Sequence, residues 1–178
     1  MRLDGMRVAV LAGEGVEDLE YWVTVMRLRE EGAAVTGVGL APGTVRGKNG
    51  LEVRVDRAVA DVDATTVDAL VIPGGWMPDK LRRHTAVTGL VRSVHAAGKP
   101  LAIICHGGLI AISARIVAGG RATGSLGIRD DLVNAGATWV DEPAFRDGAI
   151  AWGRVVDDIP AFLREAVELF AEHHARPR

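Results

Sequence analysis

The chain has 178 residues, of which 48% are apolar and 25% charged, with 21 lysines and arginines against 23 aspartates and glutamates. This length favours a single domain over residues 1–178, and the absence of a basic stripe argues against nucleic acid as a partner. One cysteine fits a reducing cytoplasm, and the apolar run near the N-terminus is too short to span a membrane, so we expect a soluble cytoplasmic protein.

Strand and helix patterns alternate along the chain. The predicted strands are VAVLA (8–12), AAVTGVGLA (33–41), a hairpin around Asn49-Gly50 (45–59), ALVIPGG (69–75), KPLAIIC (99–105) and the short candidates RATGSLG (121–127), ATWVD (137–141) and AIAWGR (149–154). The predicted helices are 17–31 ended by Gly32, 79–98, 106–120, and 157–175 with Asp157 or Asp158 as N-cap and Pro160 in its first turn. The polar tail 173–178 is expected to fray.

Several of these strands are apolar throughout, which is typical of a parallel sheet covered by helices on both faces. Ligands of such sheets bind beyond the carboxyl ends of the strands. Three strand ends carry chemically distinctive residues: GEGVEDLE after the first strand, PGG after the strand at 69–75, and CHGG after the strand at 99–105. We expect these three ends to meet in one crevice.

Cys105 is the residue at which a buried strand turns into a helix. A helix N-terminus stabilises a thiolate, and a strand-to-helix turn is the usual setting of a nucleophile elbow. Gly107 and Gly108 leave room for the backbone and for a ligand, and the His106 amide is a candidate oxyanion donor. The alternative is that Cys105 is a small core residue, as many lone cysteines are.

Two further segments are candidates for the same crevice. The amides of Gly74 and Gly75 can form the other half of an oxyanion site, or the glycines can simply permit a tight connection. Trp76 is a candidate pocket wall or oligomer contact. In GEGVEDLE, either Glu17 or Asp18 is a candidate to hydrogen-bond the thiol and shuttle protons, although acids in a first helical turn commonly interact with the helix dipole.

The histidines show no spacing with cysteine or acids that is typical of a metal site, and the sequence has neither a GxGxxG motif nor a P-loop. We therefore predict no metal and no cofactor, and a small molecule as the substrate.

Read in order, the segments VEDLEYWVTVMRLREEG, VDALVIPGGWMPDKLR, GKPLAIICHGGLIAIS, GIRDDLVNAGATWVD and RVVDDIPAFLREAVEL resemble the DJ-1/PfpI superfamily, in its intracellular protease-type branch. The resemblance implies a flavodoxin-like α/β sandwich, similar to class I glutamine amidotransferases, that forms a homodimer or higher oligomer. It implies Cys105 as the nucleophile and Glu17 as the carboxylate that contacts it. His106 follows the cysteine as in the family, and the amides of Gly75 and His106 would bind an oxyanion.

Two positions depart from the family pattern. The glutamate that a neighbouring subunit contributes to the peptidase triad is replaced by Thr85, beside His84, and the aromatic residue of the TSYPGI segment is replaced by Ser125 in TGSLGI. An intersubunit triad is therefore not expected. Ser125 and Gly107 join Trp76 as pocket candidates.

Three functions are compatible with this pattern. The first is a glyoxalase III-like enzyme in which Cys105 and Glu17 convert a 2-oxoaldehyde to a 2-hydroxy acid, or a related hydratase or lyase that acts on another small electrophile. The second is a cysteine peptidase or amidase. The third is a non-enzymatic redox sensor or chaperone-like stress protein, because a low-pKa thiol oxidises readily.

Overall fold

The computed structural model describes residues 1–175, with eleven strands and six α-helices in that range. The strands are β1 (Arg7–Leu11), β2 (Ala34–Gly39), β3 (Gly43–Arg46), β4 (Glu52–Val55), β5 (Arg57–Ala58), β6 (Ala69–Ile72), β7 (Leu101–Ile104), β8 (Arg121–Ala122), β9 (Thr138–Trp139), β10 (Ala144–Asp147) and β11 (Ile150–Gly153). The helices are α1 (Asp18–Glu30), α2 (Met77–Leu81), α3 (Thr85–Ala96), α4 (Gly108–Ser113), α5 (Arg129–Asn134) and α6 (Ile159–His174). Of the tail predicted to fray, residues 173 and 174 belong to α6, whereas residues 176–178 lie outside the described part.

Seven strands form one sheet in the order β10-β11-β7-β6-β1-β2-β5. All neighbours pair in parallel except β10, which runs antiparallel to β11 at the edge. The chain proceeds from β1 through β2 to the edge strand β5 and then returns to the other side of β1 as β6, so the carboxyl ends of β1 and β6 flank a topological switch point, where doubly wound sheets bind ligands.

Helices cover both faces of this sheet. Helix α1 packs with α6, whereas α2, α3 and α5 each pack with α4. Strands β6 and β7 are buried at every residue, as expected for strands that lie between two helical layers. The structure therefore confirms the α/β flavodoxin-like class. None of the helices in residues 1–175 is long and apolar enough to cross a bilayer.

The helix predicted over 79–98 is two helices, α2 and α3. The break falls at His84, whose extended backbone (φ −99°, ψ 119°) cannot continue a helix. The helix predicted from residue 106 begins later, because Cys105–Gly107 form a 3-10 turn before α4. Helix α5 and edge strand β10 were not predicted. Asp158 is the residue before α6, but its carboxylate binds Arg154 instead of capping the helix.

Helix α1 differs from its sequence pattern in which face is buried. Its buried residues include Glu20, Thr24 and Leu28, whereas Leu19 and Met26 are exposed. Apolar residues therefore lie on the exposed face of α1 as well as on its buried face, and their spacing does not identify the buried one. The consequence is that Glu20, and not an apolar residue, points into the protein.

Candidate active site

The three marked strand ends meet, as predicted, at one edge of the sheet. They border an open pocket of about 280 Å³, just below the ~300–1,000 Å³ that is typical of small-molecule sites. Its lining comprises Glu17, Glu20, Lys48, Gly75, Trp76, Cys105, His106, Ser125, Val155, Val156 and Asp157. A pocket of this size suits a substrate of a few carbon atoms.

Cys105 occupies a strained backbone position between β7 and α4. Its φ is +60°, in the left-handed region that non-glycine residues seldom adopt, and its side chain is buried with 9% exposure. Strain of this kind is concentrated at functional sites, including the nucleophile elbow of hydrolases. The turn therefore supports the interpretation of Cys105 as a reactive residue over that of a core residue.

The glycines after Cys105 serve packing. A Cβ atom on Gly107 would lie 3.2 Å from Cγ2 of Ile72 in β6, and one on Gly108 would lie 2.9 Å from Cδ1 of Ile128. Gly107 is buried against β6 and is not among the residues that line the pocket. Its prediction as a pocket residue is therefore wrong, because the space beside its Cα atom is filled by Ile72 of β6 and does not open to the pocket.

The carboxyl group that contacts the thiol belongs to Glu20. This residue is fully buried, and its Oε2 accepts the Gly74 amide at 2.6 Å. The same carboxyl interacts with the Cys105 thiol, and its Oε1 has no hydrogen-bond partner among residues 1–175. Glu20 thus has one buried oxygen that is free to accept a proton.

Glu17, which the sequence analysis assigned to this contact, instead caps α1. Its Oε2 accepts the Glu20 amide at 2.9 Å and its Oε1 accepts Asn49 Nδ2 at 3.1 Å. Glu17 lines the pocket, but its oxygens serve the helix start and a neighbouring turn. The face that α1 buries explains why Glu20 and not Glu17 contacts the thiol. Glu20 lies one turn further along the helix, on the buried face that it shares with Thr24 and Leu28.

Two backbone amides point at the sulfur. The amides of Gly75 and His106 both donate to Cys105, which is the arrangement expected of an oxyanion site. The Gly74 amide is engaged by Glu20, so its predicted role as a third oxyanion donor is not supported. Gly74 matters for space, because a Cβ atom there would lie 2.7 Å from Cys105 Cβ and 2.8 Å from Glu20 Oε2.

Burial and mutual repulsion govern the ionisation of the pair. Desolvation raises the pKa of Glu20 from its ordinary value of 4.5 to about 7, against the Gly74 amide, which favours the anion. Desolvation and the adjacent Glu20 raise the pKa of Cys105 to about 12, while the two amides oppose that rise. Between these values thiol and carboxyl hold one proton together, and a group poised near neutral pH is suited to proton transfer.

His106 lies directly beside the sulfur. Its Nδ1 is 3.3 Å from Cys105 Sγ, and burial, followed by the charge of Lys48, lowers the pKa of the imidazole. The ring is therefore neutral at pH 7. Ser125 and Trp76 line the pocket as predicted, and Trp76 is 63% exposed at its edge.

Other residues complete the picture of the site. Lys48 and Asp157 were not predicted as pocket residues. The only signal for Lys48 in the sequence is its place in the glycine-containing turn of the predicted hairpin. His84 and Thr85 are exposed and do not line the pocket. Within residues 1–175, no three His, Cys, Asp or Glu side chains are grouped closely enough to hold a metal ion.

Comparison with known proteins agrees with this architecture. The profile of the DJ-1/PfpI family matches residues 6–169. A deglycase of Pyrococcus abyssi is 40% identical over 164 residues, which are 92% of this chain and 99% of that protein. Deglycase PfpI of Pyrococcus furiosus is 38% identical over 164 residues, again 92% of this chain and 99% of that protein.

A solved structure shows the same fold. It is a two-domain protein from Anabaena variabilis with DJ-1/ThiJ/PfpI-like and ferritin-like domains, 28% identical with a TM-score of 0.90. The match covers 97% of this chain and 56% of that one. The family profile, the identity to the archaeal deglycases and the shared fold together show that the chain belongs to the DJ-1/PfpI family.

Proposed function

We propose that the protein is a cysteine-dependent enzyme that converts a small 2-oxoaldehyde to the corresponding 2-hydroxy acid. The observation that carries the proposal is the Cys105–Glu20 contact at a strained elbow, with two amides directed at the sulfur. The reaction oxidises C1 and reduces C2 of the same molecule. It therefore requires no external electron acceptor, only a nucleophile and a group that moves protons.

The first step joins the sulfur to the aldehyde. Glu20 takes the thiol proton as Cys105 adds to C1, which forms a C–S bond and leaves an anionic oxygen on that carbon. The amides of Gly75 and His106, which donate to the sulfur before the reaction, then bind this oxygen. Protonation of the oxygen by Glu20 gives a hemithioacetal.

The second step moves a hydrogen from C1 to C2. Glu20 removes the C1 proton, and the electron pair forms an enediolate with its negative charge on the C2 oxygen. The same carboxyl returns a proton to C2, while the proton of the C1 hydroxyl passes to the C2 oxygen and leaves a carbonyl at C1. A carboxyl with a pKa of about 7 can both accept and donate near neutral pH. The product is a thioester of the 2-hydroxy acid, and water hydrolyses it to release the acid and restore the thiol.

The same chemistry extends to carbonyl adducts. The archaeal relatives are named deglycases, and an adduct of an amine with a 2-oxoaldehyde carries the same two carbons. Attack on such an adduct with loss of the amine gives the same hemithioacetal, so water and adduct yield amine and 2-hydroxy acid. The open mouth of the pocket suits such a larger substrate.

The test is lactate formation from methylglyoxal without added glutathione. We expect wild type to produce lactate and Cys105→Ala to fall to the rate of the buffer, because the variant cannot form the C–S bond. Equal rates for the two proteins would refute the proposal. Gly89→Ala serves as the control for handling and folding, because a Cβ atom on Gly89 in α3 would meet no atom within 4 Å.

A second candidate is a cysteine peptidase, which the contact between His106 Nδ1 and Cys105 Sγ favours. In this function His106 would act as the base for the thiol. Hydrolysis of a fluorogenic peptide that disappears in His106→Gln, but persists in Glu20→Gln, would support it over the carbonyl reaction.

A further inference from the structure

The pocket contains one cationic side chain, and neither function above assigns it a role. Lys48 is the only lysine or arginine among the lining residues. It lies in the turn between β3 and β4, and its side chain is exposed. Within the described part of the chain its ammonium group forms no salt bridge, so the charge is available to a ligand.

The turn that carries Lys48 is fixed to the start of α1. Asp18, 2% exposed, accepts the amides of Asn49 at 2.7 Å and Leu51 at 2.8 Å. The Lys48 amide itself donates to the Val16 carbonyl at 2.8 Å. These hydrogen bonds offset the cost of burying the carboxylate, and their loss would leave it unsatisfied, so they hold the turn in place. The backbone of Lys48 is thus held against the helix that bears Glu20.

The charge of Lys48 reaches the reacting groups. It lowers the pKa of both Glu20 and His106, so an anion beside the sulfur lies within its field. Besides Glu20, two further acids line the pocket. Both oxygens of Glu17 already accept hydrogen bonds, from the Glu20 amide and from Asn49, and Asp157 lies on the separate segment before α6.

We propose that Lys48 is the anion-binding residue of the pocket. It holds the negatively charged oxygen that develops on C2 and the carboxylate of the 2-hydroxy acid product, and Asp18 is the positioning residue that keeps it there. The part that concerns the reaction rests on the proposed function. The anion site itself does not, and it can be measured without turnover.

Alkylation of the single cysteine measures the site directly. Iodoacetate is an anion and iodoacetamide is its neutral counterpart, so the ratio of their rates with Cys105 reports the charge beside the sulfur and cancels changes in thiol ionisation. We expect Lys48→Gln to lower the iodoacetate-to-iodoacetamide ratio about fivefold, as loss of one nearby charge in a wet site implies. Lys48→Arg keeps the ratio within about twofold because the charge remains.

Two further variants serve as controls. Lys80→Gln removes an exposed lysine outside the pocket lining and should leave the ratio at the wild-type value. Asp18→Asn should lower the ratio as Lys48→Gln does, and the double variant should lower it no further, because Asp18 acts only through Lys48. A ratio that is the same in wild type, Lys48→Gln and Lys80→Gln would overturn the proposal.

Turnover separates this inference from the function on which it partly rests. If wild type forms no lactate but the ratio falls in Lys48→Gln, the anion site stands and the proposed function fails. If wild type forms lactate and Lys48→Gln matches it in kcat, KM and alkylation ratio, the function stands and the anion site fails. We expect a lower kcat in Lys48→Gln, together with weaker inhibition by lactate.

Discussion

At the sulfur of Cys105, a buried carboxyl and two amides act in opposite directions on the ionisation of the thiol. Glu20 raises the pKa of the thiol, and the amides of Gly75 and His106 lower it. These opposing effects suit a proton that passes between the sulfur and the carboxyl during the reaction, because neither group holds it throughout.

This balance predicts the effect of Glu20→Gln on the thiol. Removing the carboxylate takes away repulsion and a hydrogen bond that both raise the pKa of Cys105, so the variant thiol should ionise at lower pH than the upper step in wild type. Wild type should also show a step near pH 7 from Glu20, and the variant should lack it. The thiolate absorbance, followed across the pH range, measures the upper step, and the carboxylate band in infrared difference spectra measures the lower one. An unchanged thiol titration in Glu20→Gln would contradict the assignment of Glu20 as the partner.

At the scale of the elements, the elbow works because three glycine-rich connections approach one another closely. The isolated bridge between Val16 and Gly75 ties the segment after β1 to the segment after β6. Gly74 lies between Cys105 and Glu20 with no room for a side chain. A glycine is therefore required at position 74, where the backbone passes between the two reacting groups.

Gly74→Ala tests this packing. The new Cβ atom would lie 2.7 Å from Cys105 Cβ and 2.9 Å from the His106 amide nitrogen. We expect overpacking to lower the free energy of unfolding by about 1–3 kcal/mol. Lactate formation should fall further than the smaller folded fraction alone would cause. Gly89→Ala is the matched control, because its Cβ meets nothing within 4 Å in α3, and it should stabilise by about 0.4–1 kcal/mol. Equal urea midpoints and equal activity for the two variants would contradict the account.

Helix α1 shows where sequence reasoning fails and why. Its outer face carries Leu19, Val23 and Met26, so apolar spacing does not separate the buried side from the exposed one. The buried Glu20 breaks the usual rule that acids face water, and only its place in the fold reveals it. Glu17, which the family resemblance assigned to the contact with the thiol, was therefore chosen in error.

Across the whole molecule, the parallel sheet and the position of Cys105 could be predicted because they depend on local patterns. Apolar runs of four to seven residues and a cysteine between strand and helix need no knowledge of tertiary contacts. The anchoring of Lys48 by Asp18 and the split of α2 from α3 depend on contacts distant in sequence, so no single-segment pattern contains them. The predicted homo-oligomer stays a prediction.

The buried carboxyl also makes the stability of the whole fold depend on pH. The pKa of Glu20 rises from 4.5 to about 7 on folding, so between these values the folded chain binds more protons than the unfolded chain. The free energy of unfolding should therefore fall as the pH rises through this window, and the loss is complete above pH 7 at about 3 kcal/mol. Urea unfolding should therefore show that the free energy of unfolding of Glu20→Gln, relative to that of wild type, is higher at about pH 8 than at about pH 5.

The exposed Glu30 at the end of the same helix provides the control for this measurement. Glu30→Gln should follow wild type within about 0.5 kcal/mol at both pH values. A parallel pH dependence of wild type and Glu20→Gln would mean that Glu20 is not a desolvated carboxyl in the folded protein.

The central claim is that the Cys105–Glu20 pair carries the reaction, and lactate formation by Glu20→Gln compared with Glu17→Gln tests it most directly. Both variants replace a pocket carboxylate with its neutral amide. We predict a loss of about 100- to 10,000-fold in kcat for Glu20→Gln, because the proton shuttle is gone, and a loss under about tenfold for Glu17→Gln, which keeps a capping oxygen. Full activity in Glu20→Gln, with the loss confined to Glu17→Gln, would contradict the account.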